Sequence, residues 1–264
     1  MSLDHVAVGE YWNKNAAAWT ELSRAGHDIC RDGFNTPSFL GILPDVTGLR
    51  GLDIGCGEGH NTRQVADRGA RMTAVDIASV FVQHAQEAEQ KQPRGIRYAR
   101  ASAVDLPFAE AEFDFCTSFM CLMDLPEQDQ ALAEAYRVLK PGGFLQFSIT
   151  HPCFHTPLFN WVHDDDGQRI GLTVGRYWDE QPGEVETWTF SSAPTELAAK
   201  HAPFEVPRFE RTLSEWLNAL ADTGFRLEQT CEPRPDEATL ARFPRLIGCR
   251  NVPLFLILRG RKPS

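Results

Sequence analysis

The stretch Leu52-Asp53-Ile54-Gly55-Cys56-Gly57-Glu58-Gly59-His60-Asn61 decides how this chain is read. Gly51–Gly55 is a short apolar run ending in a glycine turn, and Asn61–Arg68 reads as a helix closed by Gly69. Strand, glycine turn and helix together make a nucleotide loop. Glycines accept positive φ and let a ligand approach the backbone, and the start of the helix offers free amides. The spacing is Gly-x-Gly-x-Gly, whereas a dinucleotide fingerprint requires Gly-x-Gly-x-x-Gly. Asp53 and Glu58 flank the loop, which suits a ligand carrying an ammonium better than a pyrophosphate at a helix N-terminus. An NAD-dependent oxidoreductase is therefore disfavoured.

Outward from the loop, strands and helices alternate. Met72–Asp76 is a second strand, and Ser79 caps a helix to about Gln90 that Pro93 and Gly95 break. Ile96–Ala101 and Phe113–Ser118 are further strands. Gln128–Lys140 carries Leu132, Ala135, Tyr136 and Leu139 at helical spacing, Lys140-Pro141-Gly142-Gly143 stops it, and Phe144–Ile149 is a fifth strand. Strands separated by helices pair in parallel through crossovers. Later, Leu213–Thr223 is a helix with Leu213, Trp216, Leu217 and Leu220 on one face and Gly224 as its stop. Phe225–Thr230 and Val252–Arg259 follow as strands whose connection has little room for a crossover helix, so they form an antiparallel hairpin at one edge. Asp76 stands 23 residues after Asp53, where an acidic residue accepts hydrogen bonds from ribose hydroxyls of an NAD or an adenosyl ligand alike. A cap on the helix beginning at Ile77–Val80 is the alternative for Asp76.

Composition narrows the class. The chain has 264 residues, 42% hydrophobic and 23% charged, which is ordinary for a globular protein and excludes collagen-like, coiled-coil and disordered chains. Its longest apolar run, Val252–Leu258, is interrupted by Pro253 and cannot span a bilayer. Met1–Glu10 lacks the basic flank and apolar stretch of a signal peptide. Seven cysteines with no Cys-x-x-Cys read as thiols in a reducing cytoplasm. A net charge of −10 disfavours a nucleic-acid partner.

Four motifs together resemble the class I S-adenosylmethionine-dependent methyltransferases: Leu52-Asp-Ile-Gly-Cys-Gly-Glu-Gly59, Val75-Asp76, Ala103-Val-Asp-Leu-Pro-Phe108 with Phe113-Asp-Phe115, and Tyr136-Arg-Val-Leu-Lys-Pro-Gly-Gly143. The likeness covers residues 49–150 closely and Leu213–Phe225 loosely. It implies an α/β, doubly wound, Rossmann-like sheet of seven mostly parallel strands with an antiparallel last strand. It also implies S-adenosyl-L-methionine as cofactor and S-adenosyl-L-homocysteine as product. Gly55, Cys56 and Gly57 would line the methionine moiety, with the backbone at Gly55 receiving the ammonium and Asp53 supporting the turn. Asp76 would hold the ribose, and Ile77 would pack on adenine, with Ala103 and Val104 on its other face. Ser102 stands where many relatives carry Asp, which weakens the contact with the adenine amino group. Phe119 would lie beside the methionine portion. In similar proteins a leader folds over the cofactor. Here that leader is residues 1–48, in which Arg31, with Asn35 one helical turn on, is a candidate for the methionine carboxylate. A surface pair of Arg31 with Asp28 or Asp32 is the alternative.

Residues 151–210 fit no alternation. They hold 10 acidic and 4 basic residues, nine aromatics and six prolines, and read as a substrate-side cap inserted after the fifth strand. The nucleoside-binding core is then 49–150 with 211–264. Methyl transfer by in-line displacement needs proximity, and a general base only when the acceptor is protonated. Met120 and Met123, in the run Met120–Asp124 after the fourth strand, would shape an acceptor pocket. In His151-Pro152-Cys153-Phe154-His155, His151 is either a base or a loop-fixing histidine, and His155 a pocket residue. A metal is not expected, because no second cluster completes a ligand set. Trp161, Tyr177, Trp178, Trp188 and Phe209 are either an aromatic wall for the acceptor or the cap's own core, with Trp161 and Tyr177 the pocket candidates. Asp164-Asp165-Asp166-Gly167 reads as a solvated turn. The expected function is methyl transfer from S-adenosylmethionine to a small organic acceptor. The rivals are an RNA methyltransferase, an NAD-dependent oxidoreductase and a non-catalytic cofactor-binding module. Oligomeric state is left open.

Overall fold

The computed structural model describes residues 3–264; Met1 and Ser2, the start of the leader, lie outside them. The run before the glycine loop is β1 (Arg50–Ile54), buried from Gly51 onward because parallel strands flank it on both sides. It is followed by β2 (Arg71–Asp76), β3 (Arg97–Arg100), β4 (Phe113–Phe119) and β5 (Leu139–Thr150). The helices of this half are α1 (His5–Arg24), α2 (Thr36–Ile42), α3 (His60–Ala66), α4 (Ser79–Lys91) and α5 (Gln128–Val138), with a π-helical turn at Arg31–Asn35. Next come two antiparallel pairs outside the main sheet, β6 (Leu158–His163) with β7 (Arg169–Gly175) and β8 (Glu184–Trp188) with β9 (Phe204–Arg208), the latter enclosing the short α6 (Thr195–Ala198). The chain ends with α7 (Leu213–Thr223), β10 (Arg226–Cys231), α8 (Glu237–Arg242), α9 (Ile247–Asn251) and β11 (Phe255–Arg261).

The seven-stranded sheet runs β10-β11-β5-β4-β1-β2-β3, and every strand points the same way except β11, which is antiparallel to both neighbours. This is the doubly wound, Rossmann-like sheet with an antiparallel last strand that the resemblance implies, and it agrees with the parallel core and antiparallel edge read from the alternation. Side chains alternate between its faces. Leu52, Ile54, Leu145, Phe147 and Leu258 meet α5 and α7 on one side, where Trp216 is fully buried. Met72, Ala74, Phe115 and Ile257 meet α2, α3 and α4 on the other, through Phe39, Val65 and Val82.

Caps fix the ends of α7. Thr212 and Glu215 form a reciprocal capping box, and Gly224 ends the helix at φ +103. One boundary differs from expectation: β5 begins at Leu139 rather than Phe144. Leu139 already pairs with Phe113, and Lys262 Nζ donates to the carbonyls of Tyr136 and Leu139 (2.8 Å each), so chain reversal and strand start coincide. The β10–β11 connection also holds α8 and α9, both too short to act as a crossover. Among the described residues no helix is long and apolar enough to cross a membrane.

Candidate active site

After β1 the chain turns toward β2, and after β4 it turns toward β5, on the opposite side of the sheet. The crevice beyond the carboxyl ends of β1 and β4 is therefore a topological switch point, where open parallel sheets take their ligands. Gly55 sits in it at φ +72, and a Cβ there would lie 2.1 Å from Cys121 Sγ. Only glycine lets the loop leave β1 against the residue that follows β4. Asp53 is buried beneath the loop and accepts from Thr62 Oγ1 on α3 and from Thr117 Oγ1 on β4 (2.8 Å for the latter). Asp76 accepts from the Gly57 and Ala78 amides, each at 2.8 Å. Burial pushes both carboxyls up to about 6, against the pull of those hydrogen bonds.

A cavity of about 730 Å³ opens here, within the range of roughly 300–1,000 Å³ typical of small-molecule sites. Gly55, Cys56, Gly57, Asp76, Ile77, Ser102, Ala103 and Phe119 line one end with Asp53 beneath. The leader covers this end. α1 crosses Ile77 at Gly9, where an added Cβ would meet the Ile77 side chain at 3.0 Å. Arg31 and Asn35 also line the cavity, and Arg31 makes the pair with Asp32 that the alternative reading expects, though not at the surface. It is largely buried, its Nε donating to Asp32 (2.7 Å) and its Nη2 to the Ser23 carbonyl (3.2 Å), while Nη1 faces Glu58 at 3.4 Å. His60 lines the same region, and burial together with Arg31 lowers its pKa.

The other end is built from five separate segments. Met120 lines it at φ +50, a left-handed conformation uncommon for a side chain of this size, its amide donating to the Ser148 carbonyl (3.0 Å). Met123 and Asp124 follow in a short 3₁₀ turn. His155 lines the cavity with Nδ1 2.7 Å from Glu210; in a neutral ring that carboxylate selects the Nδ1–H tautomer, and Nε2 has no hydrogen-bond partner among the described residues. Glu186 on β8 receives Nε and Nη2 of Arg208 on β9, at 2.9 and 2.8 Å. Asp124 is 4% exposed, and its Oδ1 has no hydrogen-bond partner among the described residues; the nearest Arg208 nitrogen is 4.0 Å away. Burial, with Glu186 and Glu210 nearby, pushes Asp124 up to about 7 despite Arg208. Trp12 and Trp19 of α1 join Trp188 and Phe190 as an aromatic wall, with Trp19 centred 5.4 Å from Trp188 and 4.9 Å from Phe190. Asn15 stitches the wall together through paired bonds to the Glu205 backbone (2.9 and 3.2 Å).

Four expectations are corrected. His151 lies outside the cavity lining. Its Nδ1 accepts from the Cys153 amide (3.2 Å) and its Nε2 meets Glu232 (3.0 Å), so no lone pair is free for a base, and burial lowers its pKa. It fixes the loop after β5. Tyr177 is not a pocket residue, because its hydroxyl accepts from the Leu213 amide (2.8 Å) at the start of α7. Trp161 packs against Gly248, with the Arg169 guanidinium 4.8 Å from its ring centre. Val104 is buried under α5, away from the cavity, while its carbonyl accepts from Gln130 (2.9 Å). Glu186, Arg208 and Phe190 were missed by sequence reading, since no motif or period marks them.

Residues 52–147 match the Methyltransferase domain family. An S-adenosylmethionine-dependent methyltransferase of Mesorhizobium loti superposes with a TM-score of 0.69 at 29% identity, over 85% of this chain and 96% of that one. Residues 52–147 are thus a methyltransferase domain, and the chain shares the fold of the class I S-adenosylmethionine-dependent methyltransferases. Its cofactor is S-adenosylmethionine. A malonyl-[acyl-carrier protein] O-methyltransferase of Pectobacterium atrosepticum is 32% identical over 145 residues, 53% of this methyltransferase and 54% of the relative. A biotin biosynthesis bifunctional protein of Cellvibrio japonicus is 31% identical over 181 residues, 68% of this chain but 34% of its own length. The methyltransferase thus spans about half or less of these curated relatives.

Proposed function

We propose that the protein transfers the methyl group of S-adenosylmethionine to a small organic acceptor held between the glycine loop and the β8–β9 pair. The observation that carries this reading is the single cavity joining Gly55, Gly57 and Asp76 to Asp124, His155 and the aromatic wall. The residues fit the cofactor: Gly55 and Gly57 leave a cradle without side chains, and the Asp76 carboxylate at its edge suits a pair of ribose hydroxyls. Ile77 and Ala103 would hold the adenine, with Ser102 near its rim, and Arg31 and Asn35 would meet the methionine carboxylate. The cofactor supplies a methyl carbon already activated on a sulfonium.

The protein's own work is alignment and water exclusion, worth roughly 7–11 kcal/mol when geometry is good. Residues 151–210, with the leader, serve as the acceptor-side cap. The acceptor's lone pair forms the new bond to carbon, the electron pair of the broken carbon–sulfur bond stays on sulfur, and the acceptor's proton leaves to His155 Nε2. The acceptor named for the malonyl relatives is a weaker fit. Asp124 and Glu186 face one arginine, so a third carboxylate would enter a site already in acidic excess. The free thiols suit a reducing cytoplasm. Titration calorimetry with S-adenosylmethionine, S-adenosylhomocysteine and NAD tests the reading. Binding of the first two without NAD is expected, and NAD binding alone refutes it.

A further inference from the structure

We infer that the acceptor end of the cavity is a site for an amine-bearing apolar molecule, and that Asp124 is the residue that receives its N–H groups. The inference rests on the methyltransferase reading and names the acceptor class that reading leaves open. Asp124 is the one carboxylate of this end whose partners are incomplete among the described residues. Glu210 is engaged by His155, and Glu186 takes both Nε and Nη2 of Arg208. Asp124 is left with a buried, unpartnered Oδ1 and an arginine beyond hydrogen-bond reach.

A buried acceptor group that the fold does not satisfy is costly, and such groups persist where a ligand completes them. What completes a carboxylate is a donor, best a charged one. The aromatic wall of the same cavity has matching chemistry. Trp19, Trp188 and Phe190 line the same cavity, and an aromatic face favours a cation over a neutral group of the same shape. A carboxylate-bearing acceptor would instead meet the ionised Asp124 as a like charge and would be held only with a proton on one of the two carboxyls, which disfavours it against the amine.

The cofactor's sulfonium is the competing cation for Asp124, so the test separates the two. S-adenosylhomocysteine carries no sulfonium, and the protein loaded with it is titrated with phenethylamine, 2-phenylethanol and 3-phenylpropionate by ligand-observed NMR. Phenethylamine is expected to bind at least tenfold tighter than the alcohol, with the carboxylate weakest. In Asp124→Asn the preference for the amine should vanish while S-adenosylhomocysteine affinity stays within twofold of wild type. The inference is overturned if the alcohol or the carboxylate binds as well as the amine, or if the amine does not bind the loaded protein. It also fails if Asp124→Asn keeps the preference, or weakens S-adenosylmethionine but not S-adenosylhomocysteine without changing the probe order. The wild-type series needs no variant to fold. Failure of S-adenosylhomocysteine to bind at all is a different result, which removes the methyltransferase reading itself.

Discussion

Replacing Gly55 by alanine tests whether the glycine loop is shaped by the chain's own packing. Two costs follow from the geometry. The residue sits at φ +72, where a side chain costs roughly 1–2 kcal/mol. The new Cβ would also stand 2.1 Å from Cys121 Sγ and 2.5 Å from Cys121 Cβ, so β1 and the segment after β4 must part. Overpacking of this kind costs typically about 1–3 kcal/mol. The sum, about 2–5 kcal/mol, lowers the melting temperature by roughly 5–15 °C for a domain of this size. The two costs separate in a double-mutant cycle with Cys121→Gly, which removes the clash and leaves the backbone strain. The double variant should be less destabilised than the sum of the singles by about 1–3 kcal/mol. Denaturant unfolding of all four proteins, with and without S-adenosylhomocysteine, measures both terms. A Gly55→Ala variant as stable as wild type, or a coupling below about 0.5 kcal/mol, would refute the reasoning.

Asp76→Ala should weaken S-adenosylhomocysteine binding about 10- to 100-fold by calorimetry, the scale of one or two hydrogen bonds to a charged group, and an unchanged affinity would dismiss its ribose role. His151→Ala should lose roughly 1–3 kcal/mol of stability, because Glu232 and the Cys153 amide lose a buried partner, while cofactor affinity stays within twofold; a large loss of affinity at full stability would restore a role in the site. Asp124→Asn should change how stability depends on pH. The folded carboxyl titrates near 7 against an ordinary 3.8, so the folded protein holds a proton that the unfolded chain has released, and stability falls as pH rises between those values. The variant lacks that loss, so thermal melts should show it gaining on wild type from pH 5 to pH 8, by about 2–3 kcal/mol. A pH-independent difference would show that Asp124 does not titrate as buried.

The fold was legible because its signals are local. A strand that ends in Gly-x-Gly-x-Gly announces itself within ten residues, and the periods of α5 and α7 lie within their own segments. At the glycine-loop end, Asp53, Gly55, Gly57 and Asp76 sit at strand ends, where the strand–turn–helix pattern places them by the crevice and the resemblance supplies the roles expected of them. Val104 shows the limit even there. It neighbours Ala103, which lines the cavity, yet it points into the core, and one residue of loop reverses the side.

The acceptor end obeys a different logic. Asp124, His155, Glu186 and Arg208 come from a turn after β4, a loop after β5 and two strands of a separate pair, and their separations in sequence follow no period. His151 and His155 are chemically identical candidates four residues apart. What distinguishes them is which carboxylate each meets and which nitrogen is left over: Glu232 and the Cys153 amide take both nitrogens of His151, while Glu210 takes only Nδ1 of His155. Neither partner is near in sequence, so no local pattern could have chosen between them. The net charge of −10 carries the same lesson. Acidity read as an average disfavours polyanions, but the side chain that sets acceptor preference is one carboxylate whose arginine is committed elsewhere. Relatives that share the glycine loop are therefore free to differ in acceptor, because the charges that choose it lie on segments that the loop does not constrain.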